Sequence, residues 1–387
     1  MRAKRLVMLK VYNVGQGDSM LFFPKACKVG PFPLLVDVGP RKSKTDLVFA
    51  ATQLNQYHAI NIMITHSHSD HIGALPQILA LAKSHNNMFS VGSLYIPYYM
   101  PEISRIYSFL SKKFRTNRPS IPELPKKINP NIKVIPVYDG YKLCCHSLVL
   151  NPPKDPFRFY YGAAPSGEGP EIDQPQPIET LEDALNILLN MAIIDEKNVI
   201  LIQDYRSPLL DYSYAVESGY DELAKTFVSR FFVALANAVQ VTPIALHQSL
   251  VSSQIRLTAN QASIVFRHEN LGTSWLYTGD ADEYVFERLI QEGKTISADV
   301  LKVPHHGSKE NMSLHILNSI KPRYAIISHK NRRFNKSEPH PHLVVIDMLE
   351  RSGAKIFYTN DVIKPGVNGS IRTASSGTVG NGLIEFI

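Results

Sequence analysis

The stretch THSHSDHIGAL (65–75) constrains this chain more than any other. His66, His68, Asp70 and His71 crowd together directly after INIMI (60–64), an apolar run that reads as a buried strand. Strand side chains alternate sides, so His66 and His68 can leave the strand end in the same direction. Asp70 and His71 then come from the turn into a helix, ALPQILALAKSH (74–85). Four such groups converging without a cation carry a large dehydration cost. Neutral imidazole and carboxylate suit zinc, iron or manganese. A purely structural reading explains one histidine at a strand end. It does not explain this many ligand-type groups in one turn.

Other strand ends repeat the design. SWLYTGDAD (274–282) ends an apolar strand in Gly279-Asp280 before a helix. Asp280 is either that helix's N-cap or a carboxylate whose two oxygens bridge two cations. VPHHGS (303–308) supplies His305 and His306, and EPHPHLVV (338–345) supplies His340 and His342 at the mouth of another helix. LLVDVGP (34–40) ends in Asp37 and Gly39. Packing alone does not place histidine or aspartate at four separate strand ends.

Between these points the chain alternates. A β-meander over the first 40 residues leads to a helix near 43–57, the histidine strand, a helix, and a strand at 91–97. Strands resume at 132–137 and 141–150. The segment 152–177 is dense in proline and glycine and reads as a surface insertion or lid. Its Phe159-Tyr160-Tyr161 either stacks on bases or anchors the loop to the body. Helices are expected at 179–191 and within 213–240, and strand–helix alternation returns from 261. The pattern predicts an α/β sandwich of two sheets with helices outside.

Composition adds bounds. The chain has 387 residues, 44% hydrophobic and 19% charged, which are globular values. A net charge of +7 favours anionic partners, though many plain proteins are as basic. The three cysteines, Cys27, Cys144 and Cys145, lack metal-type spacing and read as free thiols in a reducing cytosol. No apolar run reaches the ~20 residues of a membrane span. A cytoplasmic protein is expected.

The motif set VGQGDS, LLVDVG, HSHSDHIGAL, NQAS, LYTGDAD, LKVPHHGS and HPH resembles the metallo-β-lactamase superfamily, and within it the metallo-hydrolase domain of ComEC-type competence proteins. The likeness runs from residue 14 to about 360. It implies one αββα sandwich over 1–387, with an insertion at about 98–250 and a site at one edge of the two sheets. It further implies that His66 and His68 hold one divalent ion and Asp70 and His71 a second. Asp280 would bridge them and His306 would complete the second site, with His305, Asn260 and His342 as further candidates. Asp37 would orient the ligand loop. Catalytic roles fall to Asp70, which would hold an attacking bridging water, and to His340, which would meet a phosphate or leaving oxygen. Where most of the superfamily has another histidine, this chain reads Asn260-Gln261-Ala262-Ser263. An amide is a weaker ligand, so one site would hold metal loosely or favour manganese over zinc; His146 or His247 could replace it.

The function this implies is a phosphodiesterase using two divalent ions (Zn or Mn), acting as a nuclease on DNA or RNA. Lys302, Lys309, Lys330, Arg332 and Arg333 are candidate contacts to a nucleic-acid backbone. The alternatives are a hydrolase of a small phosphodiester or other ester, and a silent binding module. A lactamase is disfavoured by aspartate at position 280.

Overall fold

A computed structural model describes residues 9–23, 33–41, 54, 57–83, 89–110, 131–159, 176–211, 217–270, 272–330 and 339–360, with short strands beyond. The expected helix at 43–57 lies outside these residues except for Leu54 and Tyr57. Most of the loop 152–177, Cys27, and Arg332 and Arg333 lie outside them too. The chain divides into two compact units. The first comprises 1–97, 125–152 and 262–387; the second comprises 98–124 and 153–261.

The first unit is an αββα sandwich. Its first sheet runs Thr378–Val379, Leu383–Phe386, β1 (Leu9–Val11), β2 (Met20–Phe22), β3 (Leu34–Val36), β4 (Ala59–Met63), β5 (Ser90–Pro97) and β6 (Lys133–Val137). Pairing is antiparallel as far as β3 and parallel from β3 to β6. The second sheet runs, in reverse order, from β13 (Lys355–Tyr358) through β12 (Tyr324–Ile327), β11 (Val300–Lys302), β10 (Thr273–Tyr277), β9 (Val265–Asn270) and β8 (Ser147–Asn151) to β7 (Lys142–Cys144). It is antiparallel over β7–β10 and parallel over β10–β13.

Period-two alternation builds both faces of the second sheet. Phe266, Trp275, Tyr277, Val300 and Ile326 join Val11, Phe22, Val36 and Met63 in the core between the sheets. Val265, Leu276, Leu301, Ala325 and Ile327 face the other way. They pack under α3 (Glu283–Gln291), α4 (Leu314–Ile320) and α5 (Leu343–Arg351). On the first sheet, α1 (Ser69–Ile72) and α2 (Leu75–Lys83) follow β4. Asp70 and His71 therefore sit in a one-turn helix of their own, where the sequence suggested a turn. The parallel strands of both sheets end together, and open α/β sheets hold ligands at such carboxyl ends.

Among its described residues the second unit is helical. Its longest helix, Tyr220–Gln240, buries Ala224, Phe227, Val228, Phe231, Leu235 and Val239 at helical spacing. Phe159 is buried, with its ring 5.0 Å from Phe227. That residue anchors its loop and is not a base-stacking platform. Two further helices, Glu196–Gln203 and His247–Gln261, have no counterpart in the sequence reading.

Glu102 is buried inside this unit. Ser207 Oγ donates to its Oε1 at 2.7 Å, and Tyr220 Oη lies 3.0 Å from its Oε2 and 3.0 Å from the Tyr98 carbonyl. Tyr220 has one proton for two oxygens. A protonated Glu102 that donates to Tyr220, which donates onward to Tyr98, satisfies both contacts. Burial pushes the Glu102 carboxyl from 4.5 up to about 7, against these hydrogen bonds. The folded state thus binds this proton more tightly than the unfolded chain. Its contribution is full below pH 4.5 and is lost as pH rises to about 7, amounting to about 3 kcal/mol. Urea unfolding of Glu102→Gln is expected to lack this fall between pH 5 and 8 while the unsubstituted chain shows it. Parallel pH profiles for the two proteins would contradict it.

Candidate metal centre

Asp37 is the hub behind the ligands. It ends β3 with a left-handed backbone, φ 55°, that turns its carboxylate inward. Its Oδ1 accepts the Thr65 amide at 2.7 Å. Its Oδ2 accepts the Thr65 hydroxyl and His71 Nδ1, each at 2.7 Å. Thr65 Oγ in turn lies 3.2 Å from His66 Nδ1. Each ring is thereby fixed with Nδ1 toward the protein and Nε2 toward the centre, which is how metal-binding histidines are oriented.

The Nε2 atoms converge on Asp280. Its Oδ1 lies 3.2 Å from Nε2 of His71, and its Oδ2 lies 3.6 Å from Nε2 of His66. Asp282, not Asp280, caps α3 by accepting the Val285 amide, so the capping alternative for Asp280 is withdrawn. The Asp280 amide donates to Ser263 Oγ at 3.2 Å. His306 donates Nδ1 to the Ser328 carbonyl at 2.9 Å and turns Nε2 to Asp70 Oδ2 at 3.3 Å. Among the described residues, His66–His71–Asp280 and Asp70–His71–His306 each bring three ligand atoms within 4.8 Å of one another. His71 belongs to both. His68 stands beside them, its ring edge-on to His66 at 4.7 Å.

The buried atoms fit a cation. Nε2 of His66, His68 and His71 and Oδ1 of Asp280 are buried without hydrogen-bond partners, a costly state unless something binds them. Burial lowers His66 and brings His68 to about 4, so both are neutral and able to coordinate. Burial also opposes charge on His71, yet Asp280 and Asp37 outweigh it and raise that ring well above the usual range. Burial likewise favours a neutral Asp280, but His71 and its neighbours hold the carboxylate ionised. The carboxylates demand positive charge at this spot. Buried imidazole and carboxylate together are a zinc, iron or manganese donor set.

A third group, Asp18–Asp37–His71, already has its own cation. Lys302 is 2% exposed and forms an ion pair with Asp18, which is 0% exposed. Lys302 also donates to the Gly279 carbonyl at 3.2 Å. It therefore cannot track a nucleic-acid backbone as the sequence reading supposed. Lys309 and Lys330 are exposed.

Sequence similarity bears on this geometry. No family model matches the chain. ComE operon protein 3 of Bacillus subtilis (strain 168) is 30% identical over 149 residues, 38% of this chain and 18% of that protein. Recombination protein 2 of Haemophilus influenzae is 35% identical over 132 residues, 33% of this chain and 15% of that protein. The chain is similar to ComEC-type proteins. It spans less than a fifth of the length of these relatives. The crystal structure of Tm1679, described as a metal-dependent hydrolase of the β-lactamase superfamily, covers 90% of this chain and 95% of its own at 11% identity and a TM-score of 0.40.

The remaining ComEC-type positions are placed as follows. His305 turns Nδ1 to Asn311 at 2.9 Å and Nε2 to Asp280 at 3.7 Å. His340 lies 5.3 Å from the His305 ring, and burial with its histidine neighbours takes it to about 3. His342 accepts the Lys309 amide on Nδ1 at 2.9 Å and holds that loop. Asn260 is near the end of helix His247–Gln261 in the second unit and joins none of the three groups. His247 is spent on the Thr242 carbonyl at 2.8 Å, and His146 is exposed between β7 and β8. Neither replaces the missing histidine. Asp18, Thr65 and Ser263 are the supporting residues that the sequence reading missed, and Lys302 is one to which it gave a different role.

The loop VGQGDS is tied to this centre through Gly17. A Cβ there would sit 2.2 Å from the Asp70 carbonyl oxygen, on a backbone with φ 141°. Gly17→Ala is expected to cost about 1–3 kcal/mol by overpacking. Calorimetric melting against the parent chain checks it; an unchanged midpoint would show that the loop yields freely.

Proposed function

We propose that this chain is a metal-dependent phosphodiesterase that holds two divalent ions and hydrolyses nucleic acid. One observation carries the reading. The two oxygens of Asp280 face different imidazoles, and the Asp70–His306 pair adjoins them through His71. His66, His68 and Asp280 would hold one ion; Asp70, His71 and His306, with Asp280 shared, would hold the other. Bound divalent ions supply Lewis acidity toward a phosphoryl oxygen and an attacking water.

The protein's own groups do the rest. Asp70 is the most exposed carboxylate of the centre, at 26%, and its Oδ2 is engaged by His306. Its Oδ1 accepts the hydrogen bond of the attacking water and orients it. A neutral His340 donates its ring N–H to a phosphate oxygen or to the leaving oxygen. Asp37 and Thr65 keep the ligand rings in one tautomer. Exposed Lys309 and Lys330 attract backbone phosphates. The similarity to Recombination protein 2 supports a nucleic-acid substrate. Among the described residues no helix is long and apolar enough to cross a membrane.

The test is direct. Protein loaded with manganese or zinc, its metal content measured by elemental analysis, should cut plasmid, single-stranded DNA or RNA. Cleavage should weaken steeply with salt. Turnover of bis-p-nitrophenyl phosphate with every nucleic acid left intact would instead assign a small phosphodiester. Full metal content with no phosphodiester cleaved would remove the reading.

A further inference from the structure

Lys302 is 2% exposed, and lysine is almost never buried so deeply unless carboxylates hold it there. The group beside it is Asp18, Asp37 and His71, whose ligand atoms lie within 4.8 Å of one another. That is the spacing of a cation site. Its occupant is the chain's own ammonium, paired with Asp18. Burial opposes the charge of Lys302, but Asp18, Asp280 and Asp37 outweigh this and keep it protonated.

The same ammonium reaches the turn that carries Asp280. It donates to the Gly279 carbonyl at 3.2 Å, one residue before that carboxylate. Gly279 has φ 52°, and Thr65 closes in on it, 2.9 Å from where a Cβ would stand. Asp18 in turn stands behind two ligand rings, 3.8 Å from Nδ1 of His71 and of His306. Lys302 is thus one peptide from Asp280 and one carboxylate from His71 and His306. Asp18, Asp37, Asp70 and Asp280 are four carboxylates gathered here, enough to neutralise two divalent ions in full. Lys302 cancels one of them. The loaded centre then keeps one positive charge, matched to the single negative charge of a phosphodiester. In a dry interior such charges act over several ångströms with little screening.

We propose that Lys302 is a resident third cation that weakens the grip of the centre on its divalent ions. This rests on the two-ion reading above. The competing account is that Lys302 only props the Gly279 turn. The two differ in sign. Loss of a prop loosens the ligands and lowers metal affinity. Loss of a like charge raises it, because Asp18 is then free to attract the ions.

Manganese titration of the full chain tests it, with the free ion followed by electron paramagnetic resonance. Lys302→Met should bind manganese about tenfold or more tighter than the parent. Asp18→Asn leaves the ammonium unpaired and should bind it about tenfold or more weaker. The double variant removes both charges and should return to within about threefold of the parent. If Lys302→Met fails to fold, the other two proteins decide, since a prop once lost is not restored by a second substitution. Unchanged or weaker binding in Lys302→Met overturns the proposal. A double variant as weak as Asp18→Asn overturns it too. Either result leaves the two-ion reading standing, whereas a parent chain that binds no manganese removes that reading and the proposal with it.

Discussion

Asp280→Asn is expected to strip the histidine centre of most of its metal and to lower phosphodiester hydrolysis by more than about 100-fold. That exceeds the about 10–100-fold typical of groups standing behind the ligands. The substitution keeps the side chain's shape and leaves the backbone amide free to donate to Ser263 Oγ. What changes is charge and donor sense. One of the two oxygens facing His66 and His71 becomes an NH2 group, which cannot coordinate and presents hydrogens to a buried Nε2. The negative charge that raises His71 and His306 disappears with it. Asp37→Asn is the comparison. It acts through the rings rather than on the ion, so metal content should fall less and activity by the smaller factor. Elemental analysis alongside a hydrolysis assay separates the two. Full metal occupancy and parent rates in Asp280→Asn would end the two-ion reading.

The difference between these variants follows how much of the centre was legible in the sequence. His66, His68, Asp70, His71, Asp280 and His306 stand out because each follows an apolar strand whose period-two pattern is plain, and a strand end is where a charged group has no packing reason to be. The two-sheet sandwich follows from the same patterns. The support layer was hidden for a physical reason. Asp18 lies in a loop before β2 and Lys302 closes β11, and only the packing of one sheet on the other brings them together. Read locally, a lysine beside a histidine motif is a phosphate contact. Placed in the core, it is a counter-charge. Thr65 and Ser263 are small hydroxyl residues whose roles lie wholly in their partners. The second unit was hardest to read. Helix His247–Gln261 mixes polar and apolar positions too evenly to show a stripe, and Glu196–Gln203 exposes Ile200 and Leu201, blurring its period.

Lys302→Met should have the largest effect on stability. Methionine keeps the stem that fills the core but removes the ammonium. Asp18 is then a carboxylate with no access to water, 3.8 Å from Nδ1 of His71 and of His306. Breaking one side of a buried ion pair costs about 3–5 kcal/mol, because the abandoned charge remains desolvated. For a unit of this size that lowers the melting point by about 6–20 °C. Burial alone would favour a neutral Lys302, yet Asp18 and Asp280 raise it, so the charge being removed is present at all ordinary pH. Asp18→Asn in the Lys302→Met background removes the stranded charge as well, and replacing a whole buried pair is often close to neutral. The double variant should therefore recover most of the loss, with a coupling of more than about 1 kcal/mol in a double-mutant cycle. Manganese or zinc should restore part of the single variant's stability by mass action, since the histidine ligands still converge. Urea melts of the four proteins, with and without metal, decide it. Additive losses would mean that Lys302 and Asp18 stabilise the unit separately, and that the centre does not depend on an internal cation for its assembly.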